Sequence, residues 1–267
     1  MVAFSAARAG TLSDVEYARI GDTSLRLDAS IPPGNGPFPA AILVHGGGWV
    51  RGDRTYNVAP LFKPLEQAGF AWFSISYRLT TDFFTFGAAV DDVTEAVRFV
   101  RSHAAEYHID PNRIALIGES AGAQLAEMSA LNSAPETRPN ALVAFYSPSN
   151  LVSLAESSPL VPDAIRQAVQ NTPFAGIIKA RLKDLSPVQH LSKDMPPTLL
   201  IHGTADPVVP YEQSKAMLDK AQNLGADIQL YTVAGGSHGV WGWDRAGKLP
   251  AANQFLVNWL RTKLPLR

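Results

Sequence analysis

The sequence predicts an α/β domain with a mainly parallel central sheet and helices on both faces. Three observations carry this. Short β-type runs alternate with helix-length amphipathic segments, and most of the runs are apolar throughout, as strands covered on both faces are. With 46% hydrophobic and 18% charged side chains in 267 residues, the chain can also bury one sizeable core. Residues 1–267 therefore read as a single domain.

The elements follow in order. "VEYARI" (15–20) and "LRLDASI" (25–31) have no helix between them, which predicts an antiparallel hairpin at one sheet edge. The Pro-Gly cluster "IPPGNGPFP" is a turn leading into the buried run "AAILVHG" (40–46), and "FAWFSISY" (70–77) is the next strand. In "AAVDDVTEAVRFVRSHAAEYH" (88–108), Val90, Val93, Val97, Val100 and Ala104 keep helical spacing, with Asp91 and Asp92 in the first turn. "RIALIGE" (113–119) returns to β-type sequence, "AGAQLAEMSAL" is helix-forming, and "ALVAFYS" (141–147) is another buried strand.

Residues 148–197 break the rhythm. They hold no clear buried strand, are interrupted by Pro148, Pro159, Pro162, Pro173 and Pro187, and contain short helical patches such as "DAIRQAVQ". A long excursion between two core strands predicts an inserted cap. The pattern then resumes with "TLLIHG" (198–203), the helix "YEQSKAMLDKAQNLG" ending at Gly225 as a glycine C-cap would end it, and "DIQLYTV" (227–233). A last helix, "AANQFLVNWLRTKL", presents Phe255, Leu256, Trp259 and Leu260 on one side. No internal repeat is present.

Several function classes fall away. A net charge of -1 supplies no basic field for nucleic acid. No apolar run reaches the ~18 residues of a membrane span, and "MVAFSAARAG" lacks the long apolar core of a secretory signal, so the chain as given reads as soluble. The absence of cysteine excludes disulfides, a thiol nucleophile and thiolate zinc sites, and is compatible with a cytoplasmic, periplasmic or secreted location. "HGGGWVRGD" lacks the G-K-[ST] ending of a phosphate loop, and no histidine–carboxylate spacing points to a catalytic metal, so no cofactor is expected.

The positive signal is "RIALIGESAGAQLAEM" (113–128), in which Gly-Glu-Ser-Ala-Gly joins a strand to a helix. G-x-S-x-G is a weak motif by itself, but Ser120 here falls on a tight turn at the carboxyl end of a parallel strand, where ligands meet open α/β sheets. Strand and helix backbones approach closely at such a turn, which accounts for Gly118 and Gly122, and the helix N-terminus directs free N–H groups toward charge forming near Ser120. A serine hydroxyl needs a base. Of six histidines, His238 lies in the glycine-rich loop "AGGSHGVWGW" after the last strand, from which an imidazole can reach across the sheet end. Asp206 in "LLIHGTADPVVP", a few residues beyond a strand, is the matching acid; Asp194 precedes its strand and Asp227 begins one.

"HGGGW", "SYRL", "DPNRIALIGESAGAQLA", "HGTADPVVP" and "GSHG" are similar, in this order, to the α/β-hydrolase esterases of the hormone-sensitive-lipase-like group. They look closest to its small bacterial branch, which includes feruloyl and acetyl-xylan esterases. The resemblance covers about residues 15–262 and implies the triad order Ser120, Asp206, His238. "SYRLTTDFFTF" departs from the group in lacking the Ala-Pro-Glu usual after Tyr-Arg-Leu, so the substrate preferences of the larger lipases do not carry over.

These readings combine into a serine carboxylesterase that hydrolyses short-chain acyl or aryl-acyl esters, acetyl or feruloyl esters of plant polysaccharide among them, through an acyl-enzyme. The N–H groups of Gly47, Gly48 and Ala121 would form the oxyanion hole. Trp49, Phe83, Phe84 and Phe86 rank first for lining the substrate pocket, ahead of Tyr77, Tyr146, Phe174, Trp241 and Trp243. Glu119 is expected to be structural, and Arg78 and Asp53 to hold loops through ion pairs. The rival readings are an amidase or arylformamidase on the same triad, and a binding protein on an inactive hydrolase scaffold.

Overall fold

A computed structural model describes residues 10–80, 85–158 and 163–265. Its strands are β1 (Gly10–Ile20), β2 (Thr23–Ile31), β3 (Phe38–Val44), β4 (Ala71–Ile75), β5 (Ile109–Glu119), β6 (Ala141–Phe145), β7 (Thr198–Gly203) and β8 (Ile228–Val233). They form one sheet in the order β1-β2-β4-β3-β5-β6-β7-β8. β1 and β2 pair antiparallel at the edge, β2 runs antiparallel to β4, and the pairs from β4 to β8 are parallel. This is an α/β-hydrolase fold.

Chain direction across the sheet reverses between β3 and β5: after β3 the chain adds β4 on one side, then returns to lay β5 on the other. Connections leaving the carboxyl ends of β3 and β5 therefore diverge, and the crevice between them is the topological switch point at which open α/β sheets bind ligands. The two segments with the strongest sequence signal, "HGGGW" and "GESAG", leave from those two ends.

The helices sort to the two faces as the apolar runs require. α2 (Phe86–Ser102) and α3 (Ala121–Leu131) place Val93, Val97, Val100 and Leu125 against Ile42, Val44, Phe73 and Leu116. On the other face α1 (Phe62–Gln67) and α9 (Leu249–Lys263) place Leu65, Leu256 and Leu260 against Leu43, Ile117, Val143, Phe145 and Leu199. Successive residues of β3 thus enter different cores, and a strand written without polar alternation is the result. α7 (Glu212–Asn223) contributes Met217 and Ala221 over Leu200 and Ile228.

Several elements differ from the sequence reading: β1 and β5 begin earlier, at Gly10 and Ile109 rather than Val15 and Arg113. α2 begins at Phe86 rather than Ala88, so Asp91 and Asp92 lie beyond the first turn. Asp92 is buried and receives the Arg78 guanidinium in a bidentate pair, at 2.6 Å from Nη2 to Oδ1 and 2.9 Å from Nε to Oδ2. An ion partner, rather than the helix dipole, explains that carboxylate. Asp53 holds its loop by accepting N–H groups of Thr55 and Tyr56 at 2.7 and 3.0 Å, and among the described residues it makes no ion pair.

Between β6 and β7 lie α4 (Leu151–Ser157), α5 (Asp163–Asn171) and α6 (Ala175–Asp184). Asn150 caps α4 by accepting from Ser153 N–H. Leu151, Ala155, Val169, Leu182 and Leu185 make a small core of their own, and Trp49 packs against it from the loop after β3. The remaining helix, α8 (Val240–Arg245), follows the loop that carries His238.

Candidate active site

β5 passes into α3 through Ser120, whose backbone stands at φ 53°, ψ −122°. A serine with positive φ is strained, and the surroundings hold it there. Ser120 N–H donates to Phe145 O at 2.9 Å, extending the β5–β6 ladder, while Ala123 N–H donates to Ser120 O at 3.0 Å and opens the helix. A Cβ on Gly118 would stand 2.3 Å from Gly122 O, and one on Gly122 would stand 2.3 Å from His45 O. Only glycine fits either place, and the hydroxyl is left projecting from a sharp elbow.

His238 reaches that hydroxyl from the far end of the sheet, with Nε2 at 2.9 Å from Ser120 Oγ and Nδ1 at 2.7 Å from Asp206 Oδ2. A carboxylate can only accept, so Nδ1 carries the proton and the Nε2 lone pair faces the serine O–H. The ring is held by its setting. The Tyr146 ring meets it edge-on at 4.6 Å, Val240 N–H donates to the Tyr146 hydroxyl, and Trp243 Nε1–H donates to Ser237 O.

Asp206 is fixed as firmly. Its Oδ1 accepts from Val208 and Val209 N–H at 2.8 and 2.9 Å. Burial opposes its charge, but hydrogen bonds from His202 and His238, the attraction of the His238 ring when protonated and the Val209 N–H together outweigh this and hold the carboxyl well below the usual carboxylate range. His202 itself is fully buried; its Nε2–H donates to Val209 O at 3.0 Å and Nδ1 accepts from Ser214 Oγ at 2.7 Å, so it cannot serve Ser120.

Gly47, Gly48 and Ala121 lie together beside Ser120 and His238 in the wall of one cavity. The loop leaving β3 is tied to the elbow by Gly46 N–H, which donates to Glu119 Oε1 at 2.6 Å. Glu119 is thus a buried strut. Burial pushes its carboxyl up, opposed by hydrogen bonds with Tyr146 and Gly46. Trp49 lines the same cavity, joined by Arg51, Asn57, Leu154, Val209 and Trp241. Trp241 stacks on the exposed Tyr56 at 4.9 Å.

Of the aromatics singled out by sequence, Trp49 and Trp241 line the cavity, whereas Tyr77, Tyr146 and Trp243 are buried in the core and Phe174 is exposed. Phe83 and Phe84 lie outside the described residues, and Phe86 is the first residue of α2. Sequence reasoning missed Tyr146 as a support of His238, and the valines after Asp206. Their positions depend on contacts between distant segments, and only the strand-end location of Val208 and Val209 beside Asp206 hinted at one of them. Among the described residues no group of three His, Cys, Asp or Glu could hold a metal ion, and no helix is long and apolar enough to cross a membrane.

The sequence pattern of the BD-FAE family matches residues 27–221. The chain is 29% identical to the probable carboxylic ester hydrolase LipM of Mycobacterium tuberculosis, over 83% of this chain and 53% of that protein. It spans about half the length of the curated relatives it matches. Among solved structures it is similar to a truncated carbohydrate esterase from gut microbiota, at 26% identity and a TM-score of 0.76, covering 95% of this chain and 97% of the other. It is also similar to the propionate-bound esterase Est2 of Thermogutta terrifontis, at 25% identity and a TM-score of 0.74, covering 95% and 96%.

Proposed function

The chain belongs to the BD-FAE family, and from that premise we propose that it is a serine carboxylesterase whose triad is Ser120, Asp206 and His238. The observation that carries this reading is the imidazole of His238 standing in hydrogen-bond reach of both Ser120 Oγ and Asp206 Oδ2. Ser120 Oγ attacks the ester carbonyl as His238 Nε2 takes its proton, and the carbonyl π pair moves onto oxygen. Gly47, Gly48 and Ala121 N–H groups receive that oxyanion. Collapse breaks the bond to the alkoxide, which leaves with the proton from His238. Water then repeats the sequence on the acyl-enzyme. Asp206, held anionic by its donors, keeps Nδ1–H in place and stabilises the imidazolium.

Residues 148–197 act in this reading as a cap over a domain spanning the whole chain, and the substrates are esters of short or aromatic acids. The likeness to a carbohydrate esterase supports a sugar on the alcohol side. Trp241, which lines the cavity and stacks on Tyr56, offers a flat apolar ring there for an aryl acyl group or a sugar ring. Acetyl and feruloyl esters of polysaccharide are the proposed natural class.

The test is direct. The protein should be labelled by a fluorophosphonate and hydrolyse p-nitrophenyl butyrate, and Ser120→Ala should abolish labelling and lower kcat by about 10⁶. A folded wild-type protein that neither labels nor turns over would favour the inactive-scaffold reading, and faster turnover of an N-formyl arylamine than of any ester would favour the arylformamidase.

A further inference from the structure

Gln124 is fully buried one turn beyond Ser120, and its backbone N–H donates to Ser120 O at 3.2 Å. Its side-chain amide is used at both ends. Trp49 Nε1–H donates to Gln124 Oε1 at 2.9 Å, and Gln124 Nε2–H donates to Leu185 O at 2.7 Å. The orientation is forced, because an indole nitrogen only donates and a backbone carbonyl only accepts. An ionised glutamate would face the Leu185 carbonyl with an acceptor, and methionine would leave both groups unpaired in a buried place.

The three elements joined here are those the reaction depends on. Gln124 belongs to the nucleophile helix. Trp49 directly follows Gly48 and holds a φ of 67°, a conformation that a bulky side chain adopts only under constraint. Leu185 is the C-cap of α6 and belongs to the small core between β6 and β7 against which Trp49 packs. The main chain of Trp49 is also held, since Thr80 N–H donates to its carbonyl at 3.0 Å. The indole bond to Gln124 therefore adds a further anchor, on the nucleophile side, to a loop already tied there by Gly46 N–H and Glu119.

We propose that Gln124 is a positioning residue: through the Trp49 indole it sets the oxyanion loop against the nucleophile helix, and through Leu185 it couples that loop to the cap. The proposal rests on the esterase reading above. A displaced donor costs transition-state stabilisation while leaving ground-state binding largely intact, so the effect belongs in kcat.

The experiment compares wild type, Gln124→Met, Trp49→Phe and the double variant on p-nitrophenyl butyrate. The inhibition constant of an aliphatic trifluoromethyl ketone is measured alongside. In that adduct Ser120 Oγ bonds to the carbonyl carbon, the π pair moves to oxygen and His238 holds the proton, so the oxyanion hole is filled. Each single variant should lower kcat about tenfold with KM changed less than about twofold, and should raise the ketone inhibition constant by the factor lost in kcat. The double variant should be no worse than the weaker single by more than about twofold, because both substitutions cut one linkage. A kcat and an inhibition constant within about twofold of wild type in either folded single variant would overturn the proposal, as would full multiplication of the two losses. Trp49→Phe removes one N–H and keeps the ring packing, so it carries the test should Gln124→Met fail to fold. Failure of the wild type to hydrolyse the ester or label at Ser120 would count against the esterase reading, whereas an active wild type with unaffected variants counts against Gln124 alone.

Discussion

Glu127 stands on α3 one turn past Gln124, fully buried, with Ser147 Oγ–H donating to its Oε2 at 2.6 Å. Among the described residues its Oε1 has no hydrogen-bond partner. Burial pushes its carboxyl up to about 8, against the favourable interactions with the Ser147 and Ser149 hydroxyls. The sign of the consequence follows from proton counting. Between the ordinary carboxylate pKa and about 8, the folded protein binds a proton here that the unfolded chain releases, so stability falls as pH rises through that window. The slope from this group is about 1.4 kcal/mol per pH unit. Glu127→Gln removes that slope, so its melting temperature relative to wild type should climb steadily between pH 5 and pH 8. A difference that stays constant across the window would assign Glu127 an ionised state throughout. Asp206 has the opposite sign: with its folded pKa depressed, its contribution is present above the unfolded value and is lost only as pH falls through the folded one.

At the scale of elements, the junction of β5 and α3 is limited by backbone contact. A methyl group on Gly122 would meet His45 O at 2.3 Å and Val44 O at 2.4 Å, both main-chain atoms of β3 and its exit that cannot yield cheaply. Gly122→Ala should therefore cost on the order of 3 kcal/mol and, where still folded, shift α3 enough to impair Ser120. Gly176 in α6 has open space around its would-be Cβ, and Gly176→Ala should be neutral or stabilising by up to about 1 kcal/mol. Thermal unfolding with a parallel esterase assay checks both, and equal effects would contradict the steric account. The elbow was legible in the sequence because close backbone approach writes glycine at fixed offsets, and β3 to β7 because burial on both faces writes unbroken apolar runs. Asp206 and His238 were legible as polar residues just past strand ends. Gln124 was not, since its partners Trp49 and Leu185 lie 75 and 61 positions away. The start of α2 was misplaced for a related reason: Asp92 looks like a first-turn acid until Arg78 is seen to fill its pocket.

At the scale of the molecule, the cavity over Ser120 is about 580 Å³ and is bounded by Trp49, Leu154, Val208, Val209 and Trp241, with Arg51, Asn57 and Ser158 interspersed. A short acyl chain finds apolar contact there at up to ~0.8 kcal/mol per methylene, and a longer one must pass polar groups to reach solvent. p-Nitrophenyl butyrate should accordingly exceed the decanoate in kcat/KM by about tenfold or more. A maximum at decanoate would overturn the short-acyl proposal, and absence of methyl ferulate cleavage would remove the aryl-acyl reading alone. No sequence motif stands behind the short-acyl expectation, because a cavity wall is assembled from segments that composition cannot bring together.

The strand order has a consequence for how activity is gained and lost. Ser120 meets His238 across 118 positions, and Gly46 meets Glu119 across 73. The neighbouring strands β3 and β5, and the segments beyond β5 and β8 that carry Ser120 and His238, must find one another over such distances, which makes assembly slow and late relative to local helix formation. No contiguous stretch of the chain contains both the nucleophile elbow and its base without also containing β6, β7 and the helices between them. On the esterase reading proposed above, catalytic competence is thus a property of the completed sheet: a nascent or partly unfolded chain can be rich in helix and still be chemically silent.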